Sequence, residues 1–280
     1  MKKIIEEKVF KVLMIITTLV ILSFLFFIFI AILRRGIPAM SWDMISKIPG
    51  GGFYIGKEGG LLNAIVGSIY IVLGSTILGM LISIPIVIYI NVYLPSRSAL
   101  ASAVRLSFDV LFGVPSIVYG AFGFTIMVFL GLKTSLLGGI IAVSMLIVPI
   151  LVRSMDEVAR VMPRDMLDAA YSLGATKYET IKVVLRQIAP GIATAVMLSI
   201  GRAIGDAASV LFTAGYTDSI PTSLNQPAAT LPLAIFFQLS SPVEQVQDRA
   251  YAAAFILTMI VLALSFGARY FSRKFSKNKI

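Results

Sequence analysis

Arg202 and Asp206 stand four residues apart in the stretch SIGRAIGDAASVLFT, Ser199 to Thr213, among small and apolar neighbours. Ser199, Arg202, Asp206, Ser209 and Thr213 are separated by 3, 4, 3 and 4 residues. On an α-helix that spacing makes one stripe, here about four turns long. Placing an arginine or aspartate at the middle of a membrane helix costs roughly 2.5–3.5 kcal/mol. A polar stripe offsets that cost by facing other protein or a water-filled path. Two readings are open. In one, Arg202 and Asp206 form a salt bridge that pins helix packing. In the other, the stripe lines a path for a polar substrate. Arg202 is then the donor facing the substrate, and Asp206 holds the guanidinium and yields part of it to an anion. Extension of the stripe by Ser199, Ser209 and Thr213 favours the second reading.

The elements that would carry this stripe follow from composition. The 280 residues are 58% hydrophobic and only 14% charged, where soluble domains average roughly 25% charged. Several apolar runs exceed the ~18 residues that mark a membrane-spanning helix. The expected fold class is all-α, a polytopic membrane bundle of six transmembrane helices. Spans are expected near Lys11–Leu33, Leu61–Ile90, Phe108–Leu130, Ser135–Val152, Ile188–Gly215 and Ala250–Ala268. The second is too long to stand upright, so it must tilt, project or kink at Pro85. The first begins like a signal peptide, but its apolar run is long and no small-residue cleavage site follows it, so it reads as a retained span.

Lysine and arginine sort these loops into two sets. One side carries seventeen, the other five, and Arg202 and Arg249 lie within spans. The side richer in positive charge faces the cytoplasm, which puts both termini and segment 153–186 there, in a plasma (inner) membrane protein. The formal net charge of +10 is then mostly a topology signal, and nucleic acid is not an expected partner. Arg105 and Asp109, another i, i+4 pair, sit near the interface and read as structural. Trp42 lies just beyond the first span, either as an interfacial anchor or as a plain loop residue.

Several chemistries are excluded. The chain has no cysteine and no histidine, which removes thiol catalysis, disulfides and Cys/His metal sites. The acids are scattered, so an enzyme is not expected, nor a cofactor or metal bound by this chain. Gly51–Glu58, GGFYIGKE, has the spacing of a phosphate-cradling loop but lacks the hydroxyl residue after the lysine. It reads as a flexible glycine-rich loop. Gly201 and Gly205 have the spacing that lets another membrane helix approach closely. The outer segment 216–247 is polar but interrupted by ATLPLAIFFQL, either a re-entrant or interfacial helix or a loop packed on a neighbour.

Segment 153–186 differs from the other loops. Pro163 suits the first turn of a helix, with acidic Asp165 behind it. Helix formers continue to Leu173, Gly174 provides a stop, and a second short helix begins near Lys177. Within this pair stands Asp168-Ala169-Ala170-Tyr171-Ser172-Leu173-Gly174. It resembles the Glu-Ala-Ala, three residues, Gly motif of the membrane permease subunits of binding-protein-dependent ABC importers, with Asp for Glu and with Pro190 displaced from the family's later proline. FGVPSIVYGAFGF (Phe112–Phe124) and GRAIGDAASVLFTAG (Gly201–Gly215) resemble segments of the phosphate permeases of that family, again with Asp for Glu.

The resemblance implies the type I permease fold of ABC importers. It implies a first helix and outer loop over 1–60, a permease domain over 61–270 with a coupling helix near 163–182, and a basic tail over 271–280. It further implies a second permease subunit, cytoplasmic ATPase subunits that use ATP and Mg and dock on Asp168, Ala169, Ala170 and Gly174, and an extracytoplasmic phosphate-binding protein. The implied function is ATP-driven import of inorganic phosphate. A permease for molybdate or sulfate is the first alternative, and a secondary transporter without an ATPase is the next.

Overall fold

A computed structural model describes residues 2–50, 58–95, 98–162 and 165–276. The glycine-rich stretch from Gly51 and the expected helix start at Pro163 fall mainly or wholly outside these residues. Ten α-helices account for most of the described chain. They are α1 (Lys2–Ala39), α2 (Trp42–Ser46), α3 (Leu62–Ile88), α4 (Ala99–Phe112), α5 (Ser116–Phe129), α6 (Leu136–Val161), α7 (Asp165–Ser172), α8 (Lys177–Ile204), α9 (Leu231–Leu239) and α10 (Glu244–Ser276). One short antiparallel pairing joins Pro49–Gly50 to Glu58–Gly59.

Five helices are long and apolar enough to span a bilayer, and a sixth crossing is made by α4 and α5 if that bent pair counts as one span. The expected unbroken span Phe108–Leu130 is therefore corrected. Its two limbs, α4 and α5, meet at 99°. Pro115 is the N-cap of α5. Lacking an N–H, and disfavouring helical backbone at Val114, it ends the helix that Gly113 already closes. In α3, Pro85 lies inside the helix, and the irregularity comes just beyond it, as a π turn over Tyr89–Tyr93.

The core sits around α6. Of its apolar window 72% is buried, against none of the window in α1. Helix α3 runs along α6, and the two are joined by small polar groups. Ser144 Oγ donates to Ser75 O at 3.3 Å, and Ser83 Oγ lies 3.5 Å from Val148 O. Lipid tails are as apolar as leucine, so close packing and such bonds hold membrane helices together. Helix α1 packs along α10. Near its C-terminal end Arg35 Nη2 meets Asp248 Oδ1 at 2.7 Å, and the guanidinium lies over the Tyr251 ring. Residues 9–28 of α1 are exposed throughout, the state of a helix bathed in lipid or covered by another chain.

Segment 216–247 folds back into the bundle. Thr230 caps α9 by accepting from Leu233 N, and Leu231 N donates to Ser68 Oγ of α3 at 2.9 Å. Leu231–Ala234 are buried, so the apolar interruption seen in the sequence is a short helix whose first turn lies in the core. Behind it Tyr216 packs edge-on against Phe237 at 5.3 Å. Burial pushes the Tyr216 hydroxyl up to about 12, so it stays protonated at working pH.

Candidate functional site

Span 5 departs from the expected Ile188–Gly215 at both ends. The helix begins at Lys177, where Thr176 and Glu179 form a reciprocal capping box. The expected second cytoplasmic helix is thus the first turns of the span itself. Pro190 lies inside α8 without ending it. The helix ends at Ile204, with Gly205 as its C-cap. From Gly205 to Ala214 the backbone runs in turns. The continuous helical stripe is therefore corrected. Asp206 accepts from Ser209 N at 2.9 Å and from Ser209 Oγ. A carboxylate bonding a backbone N–H three residues ahead offers the chain a turn in place of helix.

The break gives the five polar residues different surroundings. Arg202 is in the last turn of α8, and its Nη1 lies 3.2 Å from Asp206 Oδ1. The Arg202 side chain is 45% exposed and that of Asp206 only 2%. Ser209 and Thr213 are fully buried, and Thr213 Oγ1 donates back to Ser209 O at 2.8 Å. Arg202, Asp206, Ser209 and Thr213 thus form one chain, an ion pair followed by hydrogen bonds. Ser199 is buried apart from it, and its Oγ makes no hydrogen bond. Of the five, Arg202 alone presents a charge outward. Among the described residues no second helix comes close to Gly201 or Gly205: a Cβ on Gly201 would meet nothing within 4 Å.

What this arrangement does chemically follows from its donors. The guanidinium keeps most of its N–H groups free for an anion, while one edge is held by Asp206. Asp206 is itself held by two donors from Ser209. The cation is thereby oriented and partly neutralised, with open donors of the kind that pair with oxyanions.

The second candidate group lies on α7, toward the start of α8. Asp168 and Ala169 are exposed and Ala170 is partly so. No residue of this helix is buried, and Leu173, just past its end, is 90% exposed. Gly174 has φ +80°, and open space surrounds it. Glycine is needed here for the left-handed backbone rather than for room. Ala175 N bonds Ala170 O at 3.0 Å and Gly174 N bonds Tyr171 O at 2.9 Å, closing the end of the helix. The element is a short finger with two adjacent alanines, Ala169 and Ala170, tipped by a bare leucine.

The i, i+4 pairing expected of Arg105 and Asp109 is also corrected. Arg105 bonds Asp156 of α6, and Asp109 bonds Arg153 of α6. Sequence reasoning treated 153–186 as a separate cytoplasmic element and so missed Asp156 as a buried partner. A signal was present: the apolar run of α6 continues through Met155, Val158 and Ala159 on a helical period.

Three sets of comparisons bear on this chain. Residues 84–277 match the model of the family described as binding-protein-dependent transport system inner membrane component. The phosphate transport system permease protein PstA of Pasteurella multocida is 35% identical over 258 residues, 91% of this chain and 90% of that protein. The protein of the same name from Yersinia pestis is 34% identical over 265 residues, 94% of this chain and 89% of the other. In three dimensions the chain is similar to an inward-facing MetNI methionine ABC transporter. The TM-score is 0.61 at 17% identity, covering 76% of this chain and 95% of that one. That similarity establishes the fold alone.

Proposed function

The chain belongs to the family of binding-protein-dependent transport system inner membrane components, and we propose that it is the permease subunit through which an ATP-driven importer moves inorganic phosphate into the cytoplasm. It is a multi-pass membrane protein and a transport component rather than an enzyme. Family membership implies a partner permease and an ATPase. The finer reading has two cytoplasmic ATPase subunits that use ATP and Mg, an outer phosphate-binding protein that delivers the anion, and both termini in the cytoplasm.

The observation that carries the phosphate path is the Arg202–Asp206 pair, with its cation open and its carboxylate buried. In a low-dielectric passage a fixed guanidinium lowers the barrier to an oxyanion. The buried carboxylate prevents that site from becoming a trap. Ser209 ties the carboxylate down, Thr213 bonds Ser209 O behind it, and Ser199 lies one turn before Arg202 on α8. On α7, Asp168, Ala169, Ala170 and Gly174 form the surface on which an ATPase docks. Small side chains let the helix lie in a groove, and exposed Leu173 supplies an apolar contact that water alone would leave bare.

Uptake of radiolabelled phosphate by proteoliposomes holding the complete importer tests this reading. Phosphate uptake that needs ATP, and that excess molybdate or sulfate does not compete away, is the expected result. Transport of molybdate or sulfate in place of phosphate overturns the substrate. Transport by this chain alone, without an ATPase, overturns the mechanism.

A further inference from the structure

The Arg105–Asp156 pair takes no part in the anion path, yet three elements meet at it. Arg105 Nε donates to Asp156 Oδ2 at 2.8 Å and Nη2 to Oδ1 at 3.0 Å. Asn91, in the π turn after α3, donates to the same Oδ1 at 2.8 Å and accepts from Arg105 Nη2 at 3.3 Å. The Asp156 side chain is 9% exposed and that of Arg105 22%. A two-pronged contact of this kind fixes orientation as well as distance. The pair also borders the coupling finger: one cleft is lined by Asn91, Arg105, Arg160, Leu167, Asp168 and Tyr171. From Asp156 to the end of α6 is only about 8 Å of helix, and α7 follows soon after.

The other end of α4 is tied to α5. Tyr119 Oη donates to Leu111 O at 2.7 Å, across the 99° bend. Leu111 lies in the last turn of α4, and its carbonyl also accepts from Val114 N at 3.0 Å, so one oxygen holds both the turn at the bend and α5 and braces the elbow. Beyond the elbow α5 presses on the turn that holds Asp206. A Cβ on Gly120 would fall 2.7 Å from Ala208 O and 2.9 Å from Ser209 Cα. Glycine is required by this close backbone approach. Ser209 is the residue that donates to Asp206.

We infer that the bent pair α4–α5 is a lever. It takes up displacement of the α7 finger at Arg105, Asp156 and Asn91, and delivers it through Gly120 to Ser209 and so to the Asp206 carboxylate. The inference rests on the proposed transport function. Packed elements in backbone contact have no slack to absorb such a shift. When Ser209 moves off Asp206, the carboxylate loses donors and turns more fully to Arg202, which then holds an anion less. When Ser209 returns, Arg202 is freed for the anion. Arg105, Asp156 and Gly120 are positioning residues, each acting on the path through others.

The complete importer in proteoliposomes, with ATP hydrolysis and phosphate uptake read on one preparation, gives phosphate moved per ATP. Asp156→Asn lowers that ratio about fivefold or more while hydrolysis continues. The exchange R105D/D156R restores it to within about twofold, and Gly120→Ala with Asp156→Asn falls no further than the worse single change. An unchanged ratio overturns the lever. So does loss of uptake in strict proportion to loss of assembled complex, with no rescue by the exchange.

The natural chain has no cysteine, so Gly201→Cys places a single thiol one residue from Arg202 in this subunit, where a Cβ meets nothing within 4 Å. ATP changes its maleimide labelling in the parent, and Asp156→Asn abolishes that change. Labelling indifferent to ATP, or equally responsive in both, overturns the lever. A parent that hydrolyses ATP and responds at position 201 but imports no phosphate overturns the functional reading instead.

Discussion

Arg202 and Asp206 share one ion pair but not one environment: the guanidinium is half in the open and the carboxylate is sealed inside the chain. An ion pair that served packing alone would gain most from burying both partners with their remaining bonds satisfied. Here the buried member is satisfied by Ser209 and the cation is left with free donors. The asymmetry suits a site that meets an anion and releases it.

Replacing the cation tests the path directly. Arg202→Ala is expected to bring phosphate uptake to background while the assembled complex is recovered in the usual amount. Because half of the side chain is exposed, its loss leaves little packing defect. Uptake is read in proteoliposomes and assembly by affinity purification.

Asp206→Ala should act on stability as well as on transport. It strips the acceptor from Ser209 N and Oγ, both buried, and unmatched buried donors cost about 1–3 kcal/mol. A lower melting temperature for the purified complex is expected, with Asp206→Asn showing a smaller drop because its amide oxygen still accepts.

Gly174→Val forces a β-branched side chain to φ +80°, at a cost of roughly 1–2 kcal/mol or more. The turn after α7 should reopen and the finger lose its aim. The expected outcome is weaker recovery of the ATPase in pull-downs and reduced uptake. The open space around Gly174 means that crowding does not explain such a result.

Arg35→Ala provides the contrast. Arg35 and Asp248 are 36% and 41% exposed, and pairs at that exposure contribute about 0–1 kcal/mol. Melting temperature and uptake should stay near the parent values, whereas Asp156→Ala, which strands a mostly buried cation, should cost about 3–5 kcal/mol.

Much of this was legible before any coordinates. Apolar run length located the five long helices and the region of the bent pair α4–α5, because a bilayer demands length and little else. Helix formers ending at Gly174 outlined α7, because local propensity and a left-handed stop act within a few residues. What escaped depends on partners remote in sequence or on competition within one turn. Arg105 has Asp109 at helical spacing but bonds Asp156, a choice set by the packing of α4 on α6. The stretch after Ile204 reads as helix by period, yet Asp206 diverts the backbone N–H of Ser209. Val-Pro at 114–115 did mark the elbow, and hydropathy averaged across it.

The tie between Arg35 and Asp248 spans 213 residues, joining the first long helix to the last. During synthesis the first helix enters the bilayer with α10, the helix it packs along, still unmade. It must float as a lone rod in lipid until translation is nearly done. Closing that clasp is a late event, and a nascent subunit stalled before α10 would leave the rod free for any neighbour to seize.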